Sequence, residues 1–303
     1  ENFRPSFLPS IGLDYATLKL KDSKVVVTSI TNFGQTGPYR EFEATEATYY
    51  AMSGLMSATG LKDREPVKLG SNLIQFQAGI MGAFHSMVAL NLAEISGKGN
   101  HVDISIHEVQ TGSIDRNTAM LMAYQYAGFR TPRETPKLGA GSMHMCKDGL
   151  INLFPQSNNV LKALDMVGLP ELKTDSRFAT AEARSHPDNL EQFDAILTSW
   201  LIDHSVLDAW AAAQKAHILS GPVLTPDQVF SDPNFRARAF WPTIETKANN
   251  VTKLPGKPFE LYDSPWSLRR PAPNLGQHNV EVFCGLLGYS RQEISKLGQM
   301  GVI

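Results

Sequence analysis

The sequence predicts an α/β fold, because strand-like and helical segments alternate along its first half. Residues 24–30 (KVVVTSI) are a β-branched run of the kind found in strands. Residues 102–106 (VDISI) alternate apolar and polar side chains, which is the period of a half-buried strand. A long apolar helical segment at 75–95 lies between them. This order of strand, helix and strand predicts α/β layering.

The remaining elements of the first half are predicted in chain order. Residues 12–20 have helical spacing, and the loop TNFGQTGPYR (31–40) ends the first strand with two glycines and a proline. Residues 45–59 form a helical stretch rich in small side chains. The helix at 75–95 is apolar on nearly all sides, so we expect it to be buried. A further helix is predicted from 108 to 127.

The second half of the chain differs from the first in composition and in the pattern of its predicted elements. Residues 131–144 (TPRETPKLGAGSMH) are rich in Pro and Gly and predict a crossover between two lobes. Amphipathic helices follow over 150–240, then strand-like pieces over 238–266. The last predicted helix is NVEVFCGLLG (279–288), which leads to a short tail.

Composition narrows the class of protein. With 303 residues, 42% hydrophobic and 19% charged, the chain is typical of a globular protein that forms two lobes. A net charge of -2 gives no electrostatic reason to expect nucleic acid or an anionic membrane as a partner. Apolar stretches such as 80–92 are predicted to be too short and interrupted for a membrane span. Two cysteines, Cys146 and Cys284, and no visible signal peptide predict a cytoplasmic location.

Several kinds of site lack their signatures. His101 and His107 are six residues apart, and no histidine or cysteine pair has the spacing of a strong zinc site, so we expect no metal. There is no G-x-S-x-G elbow, no G-x-G-x-x-G and no P-loop. Cys146 fits a small core cysteine better than a nucleophile.

Two carboxylates and two glycine loops remain as candidates. Glu46 lies beside Tyr49 and Tyr50, and Glu108 stands where the second strand ends and meets an apolar environment. An exposed loop carboxylate is the simpler interpretation of Glu108 when it is taken alone. A carboxylate in an apolar pocket could attack a thioester carbonyl while backbone N–H groups hold the oxyanion. Tyr39, at the end of the first glycine loop, could supply a hydroxyl to a substrate pocket.

A series of segments carries a family resemblance across the whole chain. They are ENFRP, GLDYATLKLKDSKVVVTSITNFGQTGPY, AMSGLMSATG, GKGNHVDISIHEV, DSRFATAEAR, SGPVLTPDQVFSDPNFRARAF and LGQHNVEVFCGLLGYSRQEISKLGQMGVI. In this order they resemble the class III CoA-transferase family, which includes carnitine-CoA, formyl-CoA and bile-acid CoA-transferases.

The resemblance implies an architecture. Family members have a Rossmann-like large domain, whose opening segment precedes ENFRP and does not occur in this sequence, and a smaller α+β domain. It implies an incomplete large domain at 1–135, a small domain at 136–255 and a return to the large domain at 256–303. It also implies an interlocked dimer, in which each ring-like chain is threaded through its partner.

The resemblance also implies site residues. Glu108 matches the family nucleophile, which is typically aspartate, and Glu46 matches a supporting acidic position. Asn2, Phe3 and Arg4 match a segment that contacts CoA, whereas Glu43 stands where one branch has a CoA-binding lysine. The remaining match is to the mobile glycine loop that shields the intermediate, at Gly139 and Gly141.

The implied function is transfer of CoA from an acyl-CoA thioester to a small carboxylic acid through a glutamyl mixed anhydride. CoA thioester is then a substrate, and no permanently bound cofactor is expected. The alternative is a non-catalytic CoA-binding or structural subunit of a heteromeric enzyme. The related racemase chemistry fits less well, because Thr45 and Gln75 occupy two of its three acid–base positions.

Overall fold

Two parallel strands joined through a long helix form the centre of the first of two units. The computed structural model describes residues 1–113, 117–130, 132–133, 142–154, 160–245 and 251–303. Contacts between residues divide the chain into the units Glu1–Ser142 and Met143–Ile303, and each is described here by itself.

The first unit contains two strands, six α-helices and one 3₁₀ helix among its described residues. In chain order they are α1 (Phe7–Ser10), α2 (Tyr15–Lys21), β1 (Val26–Thr31), α3 (Glu46–Met52), the 3₁₀ helix Leu55–Ala58, α4 (Leu73–Ser96), β2 (Asn100–Ser105), α5 (Ile106–Thr111) and α6 (Asn117–Ala127). A small core of Tyr49, Tyr50, Leu55 and Ile74 lies where α3 meets the start of α4.

Strands β1 and β2 pair in parallel, in a register that places Val26 opposite Asn100 and Thr31 opposite Ser105. Helix α4 connects them and packs against both strands. Gly82 allows this close packing, because a Cβ there would lie 2.6 Å from Ile30 Cδ1. The predicted α/β layering is therefore confirmed as a strand–helix–strand unit.

The expectation that the apolar helix is buried is wrong for this chain. Small residues such as Ala78 and Gly82 form the buried side of α4, whereas the side chains of Phe76, Ile80 and Phe84 are more than 60% exposed. The physical reason is that, within the described residues, α4 packs against β1, β2, α3 and α5, and these contacts leave its large apolar side chains exposed.

The sequence analysis judged the apolar stretch 80–92 too short to span a membrane. In the structure this stretch is part of the longer helix α4. Its 24 residues are long and apolar enough to cross a bilayer by length and composition alone. Its packing against β1 and β2 is what the crossover helix of a parallel strand pair requires.

Two predicted helices are each interrupted. The stretch 45–59 divides into α3 and a 3₁₀ helix at Gly54, whose φ of 86° is left-handed and ends the first helix. The stretch 108–127 divides into α5 and α6, and α5 begins two residues earlier than predicted. A glycine stands at each break, Gly54 and Gly112, and the sequence analysis did not take either as the end of a helix.

The second unit contains five strands, seven α-helices, a 3₁₀ helix and a π-helix among its described residues. They are β3 (Ser142–Met145), β4 (Leu150–Phe154), α7 (Val160–Met166), the 3₁₀ helix Pro170–Thr174, α8 (Ala181–Arg184), α9 (Pro187–Leu201), α10 (Val206–Lys215), β5 (Leu219–Pro222), α11 (Pro226–Ser231), α12 (Pro233–Ala237), β6 (Thr243–Glu245), β7 (Val251–Lys253), the π-helix Val280–Leu286 and α13 (Arg291–Gln299).

The main core of the second unit lies between the sheet β3-β4-β5 and the helices α7, α9 and α10. Cys146 is 4% exposed within this core, and burial together with the charge of Asp148 raises the pKa of its thiol. A raised thiol pKa disfavours the thiolate, so the prediction of a core cysteine is confirmed.

The tail contains a helix that the sequence analysis left out. Helix α13 begins after Ser290, whose hydroxyl accepts from the Glu293 N–H while the Glu293 carboxylate accepts from the Ser290 N–H. This S-x-x-E capping box was readable in the sequence. Contacts group 256–303 with the second unit in this single chain, and its predicted return to the large domain stays a prediction.

Candidate active site

Glu108 lies in the first turn of α5, at the carboxyl end of strand β2. Ser105 ends the strand, and its hydroxyl accepts a hydrogen bond from the Glu108 backbone N–H at 3.2 Å. The pair has the S-x-x-E spacing of a capping box, but the Glu108 carboxylate does not accept a hydrogen bond from the Ser105 N–H. Among the described residues this carboxylate has neither a hydrogen bond nor an ion pair. The carboxylate is therefore not engaged as a helix cap.

The surroundings of Glu108 differ from those expected. The sequence analysis places the carboxylate in an apolar environment, whereas Glu108 is exposed in the single chain. It stands at the edge of a cleft of about 830 Å³, here called the Glu108 cleft, that α4 lines on one side and β2 with α5 on the other. The expected apolar environment is thus the cleft beside Glu108. The cleft is open to solvent in the single chain, so it does not bury the carboxylate.

Asp103 was missed by the sequence analysis and also lines the Glu108 cleft. It accepts the backbone N–H of Gln35 with both carboxylate oxygens, at 3.1 and 3.0 Å. Gly34 has a left-handed φ of 86°, and its Cβ position would lie 3.5 Å from Asp103 Oδ2. Asp103 therefore holds the first glycine loop against β2. The alternation of Asp103 with Val102 and Ile104 was the available signal, since it places Asp103 on the polar face of the strand.

Glu46 is buried rather than directed into the Glu108 cleft. Its Oε1 accepts the backbone N–H of Ile74 at 2.7 Å, which satisfies a free donor in the first turn of α4. Its Oε2 has no hydrogen-bond partner within the described part of the chain. The structure thus places Glu46 as a link between α3 and α4, and its proposed catalytic support stays a prediction.

Tyr49 ties the same helix to the end of β1. Its hydroxyl donates to Asn32 Oδ1 at 2.7 Å, and its side chain is almost completely buried. Burial, and to a smaller degree the charge of Glu46, raises the pKa of Tyr49 to about 12.

The raised pKa of Tyr49 predicts a loss of stability at high pH. In the folded protein Tyr49 keeps its proton up to a pKa of about 12, whereas the unfolded chain loses it near 10. The free energy of unfolding should therefore fall by about 2–3 kcal/mol as pH rises between these values. Tyr49→Phe should lower the free energy of unfolding by about 1 kcal/mol at neutral pH. It should also remove this fall in the free energy of unfolding between about pH 10 and 12.

Urea unfolding at a series of pH values measures the effect. Tyr262→Phe is the matched control, because Tyr262 is 90% exposed and should change neither quantity. An unchanged slope in Tyr49→Phe would contradict the assignment.

Asn2, Phe3 and Arg4 lie together at the carboxyl end of β1. They line a small pocket with Thr31, Asn32, Arg40 and Glu43. Arg4 forms an ion pair with Glu43, and both side chains are largely exposed. Thr31 is buried, and its hydroxyl has no hydrogen-bond partner in the part of the chain described. The pocket therefore contains two guanidinium groups and a hydroxyl, and each guanidinium already has an acidic partner, since Arg40 pairs with Glu41 at 3.4 Å.

The structure does not bring every predicted residue to the Glu108 cleft. Tyr39 contacts Phe33 and Phe42, at ring centroid distances of 5.9 and 5.2 Å, and does not line the cleft. Its role in a substrate pocket stays a prediction. Gly139 and Gly141 lie outside the described residues. Within the described ranges, no group of three or more His, Cys, Asp or Glu side chains could hold a metal ion.

The profile of the family described as CoA-transferase family III matches residues 1–279. The chain belongs to CoA-transferase family III. It is an enzyme of this class, and its general activity is the transfer of CoA. The resemblance seen in the sequence is thereby confirmed.

Similar proteins span the whole chain. It is 29% identical to succinyl-CoA–D-citramalate CoA-transferase of Chloroflexus aurantiacus, over 100% of this chain and 75% of the relative. It is 26% identical to subunit BbsE of succinyl-CoA:(R)-benzylsuccinate CoA-transferase of Thauera aromatica, over 100% and 75%. A crystal structure of a CaiB/BaiF family protein from Brucella suis is similar, with a TM-score of 0.77 and 28% identity over 94% of this chain and 74% of that one.

Proposed function

We propose that this family III enzyme transfers CoA from an acyl-CoA thioester to a carboxylic acid with Glu108 as the nucleophile. The observation that carries the proposal is the position of Glu108. Its carboxylate stands at the end of a parallel strand, at the edge of a largely apolar cleft, with no partner among the described residues. A carboxylate without partners has all its lone pairs available for attack.

The transfer proceeds in four steps. The Glu108 carboxylate attacks the thioester carbonyl, and the C–S bond breaks. CoA thiolate departs, and the donor acyl group remains on Glu108 as a mixed anhydride. The thiolate attacks the glutamyl carbonyl and releases the donor acid, leaving a glutamyl-CoA thioester. The acceptor carboxylate attacks that thioester and forms a second anhydride, again with CoA thiolate as the leaving group. The thiolate attacks the acceptor carbonyl, which gives the product thioester and restores Glu108.

The exposure of Glu108 requires that the site be closed in the working enzyme. Water at an open anhydride would hydrolyse it, so exclusion of water is part of the chemistry. We propose that the first unit forms part of a Rossmann-like large domain and that a second chain, interlocked with the first, covers the cleft. The exposed apolar face of α4 supports this assembly, because soluble proteins rarely leave large apolar patches uncovered.

The proposed CoA site uses the pocket at the end of β1. Arg4 and Arg40 would bind phosphate oxygens, for which guanidinium geometry is well suited. Asn2 and Phe3 would contact the nucleotide or pantetheine. The ion pair between Arg4 and Glu43 must open before Arg4 can bind a phosphate. A site with a lysine in place of Glu43 would have no such ion pair to break.

We place the enzyme in the cytoplasm. Both cysteines are free, Cys146 in the core and Cys284 partly exposed, and unpaired thiols are typical of a reducing compartment.

Trapping of the glutamyl intermediate tests the proposal. Incubation with an acyl-CoA and hydroxylamine should convert Glu108 to its hydroxamate, and borohydride should reduce the glutamyl thioester to an alcohol. Peptide mass spectrometry locates the change. The modification should require acyl-CoA and should not occur at Glu94, an exposed glutamate on α4. A modification elsewhere, with Glu108 intact during turnover, would contradict the mechanism.

A heteromeric enzyme is the second candidate, and the relative named as subunit BbsE favours it. In that case this chain is a non-catalytic CoA-binding or structural subunit, and a related chain carries the reaction. The purified chain alone would then show no exchange, and addition of its partner would restore activity. Exchange by the homogeneous chain would exclude this candidate.

A further inference from the structure

Asn32 lies where three segments of the first unit meet, directly after strand β1. Its side-chain amide nitrogen donates to the Phe42 carbonyl at 3.0 Å, and its Oδ1 accepts from the Tyr49 hydroxyl at 2.7 Å. A backbone carbonyl can only accept, so the nitrogen must face Phe42, and this fixes the orientation of the amide. The side chain therefore joins the end of β1 both to the segment before α3 and to α3 itself.

The backbone of Asn32 holds the start of helix α5. Its carbonyl accepts the His107 N–H at 3.1 Å. His107 lies in the first turn of α5, where backbone N–H groups have no acceptor within the helix. The ring of Phe33, the next residue in the loop, lies 5.6 Å from the His107 ring. The turn that carries Glu108 is therefore placed by the segment that begins at Asn32.

Asn32 also borders the pocket proposed for CoA. Asn32, Phe42 and Glu43 all line it. Glu43 is the acid that pairs with Arg4, and it follows Phe42 directly. The bond from Asn32 to the Phe42 carbonyl thus fixes the wall of the pocket that carries this acid. One residue has contacts with both the pocket and the turn of the nucleophile.

We infer that Asn32 is a positioning residue, which holds the Phe42–Glu43 wall of the CoA pocket in a fixed place relative to the turn that carries Glu108. The inference rests on the proposed function, since it takes that pocket as the CoA site and Glu108 as the nucleophile. Asn32 acts through its neighbours and takes no part in the bonds that form and break.

Asn32→Leu tests the inference, because it removes both side-chain hydrogen bonds, keeps a branched side chain and adds no charge to the pocket. The Kd of CoA and the KM of the acyl-CoA donor should rise about three- to tenfold, since the pocket wall is no longer fixed. The kcat should fall at least about tenfold, because a displacement of about 1 Å near the reacting atoms can cost about 100-fold.

A double variant separates positioning from stability. Asn32→Leu leaves the buried Tyr49 hydroxyl without its partner, which lowers the unfolding temperature. Addition of Tyr49→Phe removes that hydroxyl, so the unfolding temperature should recover while kcat, KM and Kd stay changed. If the kinetic constants recover together with stability, Asn32 serves only to satisfy Tyr49. That result would overturn the inference and leave Glu108 as the nucleophile.

Asn189→Leu is the matched control. Asn189 is half-buried in α9, and its side chain donates to the Ala183 carbonyl at 2.8 Å, so the variant loses the same kind of bond. Asn189 is not among the described residues that line the Glu108 cleft or the CoA pocket. This variant should unfold at a lower temperature and keep the kcat, KM and Kd of the parent.

Two measurements that do not depend on turnover distinguish failure of the inference from failure of the proposed function. They are calorimetric binding of CoA and deuterium exchange of the His107 N–H, which should be at least about threefold faster in the double variant. If the unaltered chain shows no CoA transfer, catalysis by the chain alone fails, yet weaker CoA binding and faster exchange in the double variant still support the inference. Parental values of both overturn it, whatever the activity.

Discussion

Glu108→Ala is expected to abolish CoA exchange, with kcat/KM lowered at least about 10³-fold. In the proposed mechanism this carboxylate carries every covalent intermediate, so its removal should leave the later steps without a route. Stability should change little, because the carboxylate makes no hydrogen bond or ion pair within the described residues. Exchange of labelled CoA between donor and acceptor acids measures the activity, and thermal unfolding checks the fold.

Two further substitutions sharpen the result. Glu108→Gln keeps the shape but not the nucleophile, and it should be as inactive as Glu108→Ala. Glu108→Asp keeps the carboxylate, moved by roughly 1.5 Å, and should retain measurable exchange even at a loss of about 100-fold. Glu94→Ala, the exposed-glutamate control, should retain full activity. Wild-type turnover by Glu108→Ala would rule out the assigned nucleophile.

Gly99→Ala is expected to lower the free energy of unfolding by about 3 kcal/mol or more. A Cβ at this position would lie 1.8 Å from the Val25 carbonyl oxygen. The clash involves backbone that leads into β1, so it cannot be relieved by rotation of a side chain. The Gly99 N–H also donates to the Ser23 carbonyl at 2.7 Å, and separating the two segments would break that bond.

Gly79→Ala is the matched control for Gly99→Ala. Gly79 lies in α4, and nothing lies within 4 Å of its Cβ position. Alanine is the better helix former, so this variant should be as stable as the parent or more stable by up to about 1 kcal/mol. Urea unfolding followed by circular dichroism compares the two. Equal stability of both variants would mean that the approach of Gly99 to Val25 does not constrain the fold.

The local elements of the first unit were predictable because their signals are local. The β-branched run before Thr31 and the alternation from Val102 to Ser105 identify the two strands, and the apolar stretch between them identifies α4. The position of Glu108 just past the end of β2 was readable for the same reason. The breaks at Gly54 and after Thr111 were missed, because helical spacing resumes beyond each of them and the glycines there were not taken as helix ends.

Other parts of the site depend on contacts between distant residues. The hydrogen bonds of Asp103 to the Gln35 N–H join residues 68 positions apart, and Glu46 reaches Ile74 across 28. No pattern within one segment encodes such pairs.

The sequence by itself determined the family, the strand–helix–strand centre and the carboxylate at the strand end, because periodicity and ordered motifs act over short distances. Only the tertiary structure decided that one face of α4 remains exposed and that the Glu108 carboxylate is free rather than bonded as a cap. The physical reason is that burial and hydrogen bonding depend on which segments meet in space. An apolar helix can be covered on one face or on all, and its sequence is the same in both cases.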